Sequence, residues 1–311
     1  MTSTHILITG GTGFLGGALA HRLVKNHHRV SVFSRDADKV ARAFGESAQA
    51  YTSVDALPDA GGFSAIVNLA GAPMFDQRWS AQRKAVLRDS RIELTRRLVD
   101  WMDTSHDKPE VFISGSAIGI YGNQGDTLLD EASPANTDFA QQLCADWEQA
   151  ARAAEALGVR VCRVRTGLVL GMNGGLLQRM LLPFRFGLGG RLGQGDQWMS
   201  WIHLIDWLRA VDTLIRDTRM NGAYNLTAPN PVRNAEFSAT LARVLHRPQL
   251  LPLPEALLKP LLGEMAALVL GSQRVMPQRL LDAGFEFQQP QLEAALRQLL
   301  QAHQESGHAD R

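Results

Sequence analysis

Cysteine is almost missing from this chain: only Cys144 and Cys162 occur in 311 residues. Two thiols cannot build a disulfide framework, so the expected setting is a reducing, cytoplasmic one. An excess of charge of either sign is missing too. The 32 basic and 31 acidic side chains leave a formal net charge of +1. That balance gives no reason to expect nucleic acid or an anionic membrane as partner. No apolar run approaches the ~20 residues of a membrane span. The stretch 176–190, for instance, is broken by Gln178, Arg179, Pro183 and Arg185. The 9 histidines show no metal-ligand spacing, so no metal is expected. His303 and His308 read as part of a disordered tail. The sequence runs straight into its first strand, so no signal peptide is expected, and no internal repeat is visible.

What is present is a globular composition, 45% hydrophobic and 20% charged. The length suits one large α/β unit with a substrate-side lobe, or two small domains. Residues 5–19, HILITGGTGFLGGAL, organise the rest. Ile6, Leu7 and Ile8 form the short apolar run of a strand buried on both faces. Thr9 opens a turn with Gly10, Gly13 and Gly16 at GxxGxxG spacing, and an amphipathic helix starts at Phe14. The first glycine permits a tight turn, the second lets backbone approach a pyrophosphate, and the third lets helix and strand pack closely. A diphosphate would sit on the helix N-terminus, against Gly10, Thr12, Gly13, Phe14, Leu15 and Gly16.

The second strand, 28–34 (HRVSVFS), ends where a dinucleotide's adenosine ribose would lie. An acid there would bind the 2′-hydroxyl of NAD. The chain has Ser34 and Arg35 instead, a hydroxyl and a guanidinium suited to the 2′-phosphate of NADP. Asp36, two positions late, keeps NAD as the second choice. A short helix over 37–44 and a weak strand over 50–54 follow, after which Asp55 is either an adenine contact or a solvated turn acid. Residues 65–71 (AIVNLAG) form another buried strand, whose end at Leu69, Ala70 and Gly71 lets backbone approach the cofactor. The helical stretch 80–102 puts Lys84, Arg88 and Arg91 on roughly one face, either solvated or turned to substrate. A strand at 111–114 leads to Gly115, Ser116 and Ala117, and a helix over 138–157 ends at Gly158. The strand 159–166 alternates apolar and arginine residues. The glycine-rich 167–195 should be loops around one helix, and a further helix begins near Leu204 or Ile205. This alternation predicts a Rossmann-type doubly wound parallel sheet over 1–226, with 167–203 contributing to a small C-terminal substrate lobe at 227–311.

With those residues in view, the chain resembles the extended short-chain dehydrogenase/reductase superfamily. More narrowly it resembles YfcH-type proteins of the NAD-dependent epimerase/dehydratase family. The motifs are ITGGTGFLG (8–16), SGSAIGIYG (114–122), DFAQQLCADWE (138–148), PFRFGLGGRLGQGDQWMSWIH (183–203), YNLTAPNPVRNAEF (224–237) and GEMAALVLGSQRVMPQRLLDAGFEF (263–287). The last lies in what resembles the family's C-terminal domain of unknown function, at about 255–301.

The resemblance implies NAD(P) at the C-terminal edge of the sheet. It also implies a tyrosine that exchanges a proton with a carbonyl, and a lysine four residues on that lowers its pKa. That pair is missing. Tyr51, Tyr121 and Tyr224 are followed at four residues by Asp55, Gly125 and Ala228, and the helix that would carry the pair has Phe139, Ala140, Leu143 and Cys144. Ser116, with Ser114 beside it, matches the superfamily's serine, and Glu131 matches a loop acid near the substrate. Arg165 ends its strand beside the nicotinamide. Arg78, Lys84 and Arg91 could hold an anionic substrate, while Trp79, Trp198 and Trp201 could wall the pocket. His203 matches a position near the substrate loop, or braces the helix start. Each also has a purely structural reading.

The expected function is an NADP(H)-dependent oxidoreductase or epimerase-like enzyme acting on a small carbonyl or hydroxyl substrate. The alternative is an NADP-binding regulator or scaffold that has lost catalysis. A monomer, or a homodimer through the two long helices, is the expected state.

Overall fold

Short apolar runs separated by helix-length segments build the sheet first. In the computed structural model, which describes residues 4–249 and 251–309 with side chains to 301, the first five strands are β1 (His5–Thr9), β2 (Arg29–Phe33), β3 (Ala48–Tyr51), β4 (Ala65–Asn68) and β5 (Val111–Ala117). They pair in parallel: Ile8 lies opposite Val32 on one side and Val67 on the other, and Asn68 lies opposite Ser114. After β6 (Leu128–Leu129), which stands apart, β7 (Arg160–Thr166) joins the sheet. Small pieces β8 (Leu168–Leu170), β9 (Trp198–Met199) and β10 (Trp201–His203) then precede the seventh sheet strand, β11 (Gly222–Leu226). The sheet order is β11-β7-β5-β4-β1-β2-β3. Winding proceeds outward from β1 to β3 and then returns to the other side at β4. The ends of β1 and β4 therefore form a switch point, where open α/β sheets hold their ligands. Ile6, Leu7, Ile8, Ile66 and Val67 are at most 1% exposed, as strands covered on both faces require.

Packing divides the chain into two units: Met1–Ser116, Gln142–Val164 and Val211–Ala223 in the first, and Ala117–Gln141, Arg165–Ala210 and Tyr224–Arg311 in the second. In the first, α1 (Phe14–Lys25) follows β1, and α2 (Ala37–Phe44) is capped by Asp36. The helix read from the sequence as one piece over 80–102 is three. It runs as α3 (Ala81–Arg88), a π-turn (Asp89–Glu93) and α4 (Leu94–Thr104). The wider turn carries Ser90 and Arg91 to the loop after β4, where Ser90 Oγ accepts from Ala72 N at 2.9 Å. Helix α5 (Phe139–Arg152) ends in a 3₁₀ turn closed by Gly158 in the left-handed conformation.

The second unit is built on α6 (Gly175–Arg185), α7 (Leu204–Arg216) in its first half, β12 (Val232–Arg233) and α8 (Asn234–Val244). It continues through α9 (Glu255–Leu262), α10 (Ala266–Leu270), β13 (Arg274–Val275), α11 (Gln278–Asp282) and α12 (Leu292–Ala309). Its core gathers Leu177, Met180, Trp201, Phe237, Leu241 and Leu296. The C-terminal stretch, expected as a disordered tail, is helix α12 instead. Its Leu292, Ala295, Leu296, Leu299 and Leu300 recur at helical spacing and bury against that core, which holds the helix in place. The side chains of His303 and His308 lie outside the described residues. No helix among the described residues is long and apolar enough to cross a membrane.

Candidate functional site

The turn after β1 is closed by glycine at three points. Gly10 has φ +70°, and a Cβ there would sit 3.0 Å from the backbone of Leu69 and Ala70. A Cβ on Gly16 would lie 2.4 Å from Gly10 O, so an alanine would push helix and turn apart. Gly13 caps α1, donating its N–H to Gly10 O at 2.9 Å. No side chain caps the helix and no acid occupies its first turn, which leaves its leading amides facing outward. Thr12, Phe14 and Leu15 line the same turn, partly exposed. Backbone donors, a helix dipole and no competing carboxylate fit a diphosphate.

A chain of buried hydrogen bonds fixes the neighbouring strand ends. Thr9 Oγ1 donates to Asn68 Oδ1 at 2.7 Å and accepts from the Leu69 and Ala70 amides at 3.1 Å each. Asn68 Nδ2 donates to Thr95 Oγ1 at 2.7 Å, which donates to Arg91 O at 2.6 Å and accepts Trp147 Nε1 at 3.0 Å. Trp147 in turn fills the space beside Gly115, where a Cβ would come within 2.5 Å of its ring. Five segments are thus tied to one line of polar atoms beneath Leu69, Ala70 and Gly71.

At the end of β2, Ser34 Oγ bonds the backbone of Asp36, and the Asp36 carboxylate is occupied as the cap of α2, accepting from Lys39 N at 2.9 Å. Arg35 is exposed, with no hydrogen bond or ion pair to the described residues. Asp55 is 87% exposed and 3.8 Å from Arg97. Trp79 Nε1 donates to Met74 O, while Arg78 is exposed in the same loop.

Ser114 and Ser116 lie on β5, both buried. Ser116 Oγ donates to Glu148 Oε1 at 2.8 Å, and Arg163 Nη1 lies 3.4 Å from Glu148 Oε2. Glu148 is only 5% exposed. The hydroxyl from β5, the carboxylate from α5, one turn beyond Cys144, and the guanidinium from β7 therefore form one largely buried group. Ala140 and Cys144, where the superfamily pair would stand, are buried as well.

The second unit holds a separate polar group. Tyr121 Oη donates to Asn225 Oδ1 at 2.7 Å and accepts from Arg165 Nη1 at 2.9 Å. Arg165 also donates to Glu131 O and lies over the Tyr121 ring. The Glu131 carboxylate accepts from the amides of Asn225 at 2.9 Å and Arg279 at 3.3 Å. Burial pushes the Tyr121 phenol up to about 12 against the opposing Arg165 charge, so it stays neutral. Burial also raises Glu131. Trp201 is fully buried, its Nε1 donating to Asn230 O. His203 Nδ1 accepts from Ile205 N at 3.0 Å at the head of α7, and Nε2 meets Gln298 Oε1 at 2.9 Å. Burial lowers its pKa. The guanidinium groups of Arg233 and Arg274 both lie over the Trp198 ring.

Residue patterns did not mark Glu148 as the partner of Ser116, nor Arg83, Asn225 and Arg279. Glu148 had one usable signal, its place one helical turn beyond Cys144 on the same helix face.

A model of the NAD dependent epimerase/dehydratase family matches residues 6–227, and a domain of unknown function (DUF1731) matches 253–299. The Arabidopsis thaliana chloroplastic homologue of epimerase family protein SDR39U1 is 38% identical over 304 residues, covering 95% of this chain and 86% of that protein. Epimerase family protein YfhF of Bacillus subtilis is 37% identical over 299 residues, covering 95% and 98%. The crystal structure of human SDR39U1 (isoform 2) with NADPH superposes with a TM-score of 0.86 at 33% identity, covering 95% of this chain and 98% of the human one. The chain belongs to the NAD-dependent epimerase/dehydratase family.

Proposed function

We propose that this protein is an NADP(H)-dependent oxidoreductase or epimerase-like enzyme acting on a small carbonyl or hydroxyl substrate. The observation that carries the reading is the turn after β1, a cradle that a Cβ at Gly10 or Gly16 would fill, opening on an uncapped helix N-terminus. Three observations favour NADP over NAD. Arg35 is exposed beside Ser34 without a partner among the described residues, Asp36 is engaged as a helix cap, and the similar human protein was crystallised with NADPH. When bound, the nicotinamide supplies hydride transfer.

Without a tyrosine–lysine pair, the proton falls to the chain's own remaining groups. Ser116 is held by Glu148. With the carboxylate ionised, the Ser116 hydroxyl donates inward and offers a lone pair to a substrate hydroxyl. Glu148 thus orients the Ser116 hydroxyl for a substrate oxygen. The second reading, a nucleotide-binding regulator without turnover, is favoured by Ala140 and Cys144 alone.

Titration with NADPH and NADH, on wild type and Arg35→Ala, tests the cofactor assignment. NADPH is expected to bind more tightly, and Arg35→Ala to weaken it by about 1–3 kcal/mol, the range for a charge-assisted hydrogen bond. If neither nucleotide binds, the proposal fails. NADPH binding with no turnover across a broad carbonyl panel favours the regulator.

A further inference from the structure

The loop after β4 is gripped by two arginines from the helical segment that follows it. Arg83, on α3, donates through Nη2 to Pro73 O. Arg91, in the π-turn, donates through Nη2 to Ala72 O at 3.0 Å and through Nη1 to Leu87 O at 3.1 Å and Ser90 Oγ at 3.4 Å. Its guanidinium lies over the Trp147 ring, 5.4 Å from the centroid, and against Gly71, where a Cβ would come within 2.8 Å of Cζ.

Both groups donate only to neutral oxygens. Other arginines on the same stretch take carboxylates: Arg88 with Asp146 at 2.5 Å, Arg96 with Glu93 at 3.9 Å and Arg97 with Asp55 at 3.8 Å. No carboxylate among the described residues pairs with Arg83 or Arg91, and Arg83 Nε is buried with no acceptor. Burial, and then the charge of Arg83, lower the pKa of Arg91 to about 10 against an opposing contribution from Cys144. It stays charged at neutral pH. Two cations gripping one short loop, with no carboxylate among the described residues paired to either, repel each other and lose hydration, a cost that an anion would offset. The loop they hold abuts the glycine turn, since Gly10 packs on the backbone of Ala70.

We propose that Arg83 and Arg91 form a receptor for an oxyanion, a phosphate or carboxylate, on the ligand bound at the end of β4. The proposal rests on the reading of this edge as a nucleotide site and extends it. The anion is either the dinucleotide's own diphosphate or a charged group of the substrate. Gly71 keeps the guanidinium of Arg91 close to the backbone by offering no side chain, and Trp147 supports its plane from below.

Calorimetric titration of the full chain with NADPH, and with inorganic phosphate in its presence and absence, tests this on wild type, Arg83→Gln, Arg91→Gln and Arg91→Lys. If the anion is the diphosphate, Arg91→Gln raises the NADPH Kd at least tenfold, and phosphate competes with NADPH. If it belongs to the substrate, NADPH affinity holds within twofold. Phosphate then binds the NADPH-saturated wild type and weakens at least tenfold in Arg91→Gln. In either case Arg91→Lys, which keeps the charge, retains more affinity than Arg91→Gln; equal loss would point to a structural role and overturn the proposal. Arg83→Gln, on an exposed helix, carries the same test if Arg91→Gln does not fold. Unchanged affinities for both ligands in both glutamine variants also overturn it. Phosphate binding that needs the arginines, with no NADPH binding by wild type, would leave the anion receptor standing while the dinucleotide reading falls.

Discussion

Both units set arginines against aromatic rings, and they use them in opposite ways. In the second unit Arg165 lies over Tyr121 and Arg279 over Tyr224, 5.2 and 4.2 Å from the ring centroids. Each also donates to the hydroxyl of its own ring, and Glu131 accepts from the backbone of Arg279 and Asn225. Donors and acceptors there answer one another. In the first unit Arg91 lies over Trp147, but its hydrogen bonds end on carbonyls and a hydroxyl, with no acid among the described residues paired to it. A saturated polar group in a low-dielectric interior fixes shape. A charged group left without its counter-charge is a functional-site candidate. The contrast assigns Glu131 and Tyr121 the work of holding strands and loops in register, and assigns Arg83 and Arg91 the work of meeting a ligand.

The largest expected effect falls on a buried acid–arginine pair of the first unit. Glu148→Ala leaves Arg163, whose side chain is 15% exposed, without its carboxylate and Ser116 without its acceptor. Breaking a buried pair by removing one partner costs about 3–5 kcal/mol, measurable by denaturant unfolding with an unchanged m-value. A loss below about 1 kcal/mol would show that Ser116 and Arg163 find other partners, and the role of Glu148 in orienting Ser116 would lose its support.

The next prediction sharpens the contrast itself. Tyr121→Phe removes a donor to Asn225 and an acceptor from Arg165, with little change in shape. Leaving Asn225 Oδ1 without its donor costs about 1–3 kcal/mol, while Arg165 keeps its bond to Glu131 O. NADPH affinity is expected to hold within twofold, the reverse of what the arginine receptor predicts for Arg91→Gln. A Tyr121→Phe protein that keeps its stability but loses nucleotide binding would erase the distinction between the two networks.

These distinctions were only partly legible in the sequence, for reasons that differ by residue. Strand β1 and its turn were readable because all their determinants are local: three apolar residues, a threonine and three glycines within a dozen positions. The π-turn was not, because an apolar period of 3.6 does not register one extra residue in a helix. The C-terminal helix had its signal in Leu292, Ala295, Leu296 and Leu299, at spacings of three and four. The partnership of Ser116 and Glu148 spans 32 positions and exists only once α5 packs on β5. Glu131 read as a loop acid because composition cannot tell a carboxylate facing substrate from one that accepts two backbone amides. Arg91 was legible as a cation on a helix face. Its lack of an acidic partner was not, since that depends on where every carboxylate ends up.

The smallest effect concerns His203, which joins β10 to α7. Its Nδ1 accepts the Ile205 amide, so its proton resides on Nε2, directed at Gln298 Oε1. Cationic imidazole would need a proton on Nδ1 and would lose that cap, and burial already lowers the pKa. The sign follows from the unfolded chain taking up the proton first. Above about pH 6.5, the ordinary histidine value, His203 adds no pH dependence. As pH falls below that value the unfolded state binds a proton the folded state refuses, and stability drops by up to about 1.4 kcal/mol per pH unit until the folded pKa is reached. Burial lowers His5 and His28 too, with the same sign, so the wild-type slope alone is not diagnostic. The difference is. In His203→Gln, whose amide oxygen can still accept from Ile205 N, unfolding free energy between pH 6.5 and 5 is expected to fall less steeply than in wild type. The two curves should converge as the pH drops. Parallel curves would mean that His203 takes up its proton in the folded protein as readily as in the unfolded chain, and that the head of α7 does not depend on its neutral form.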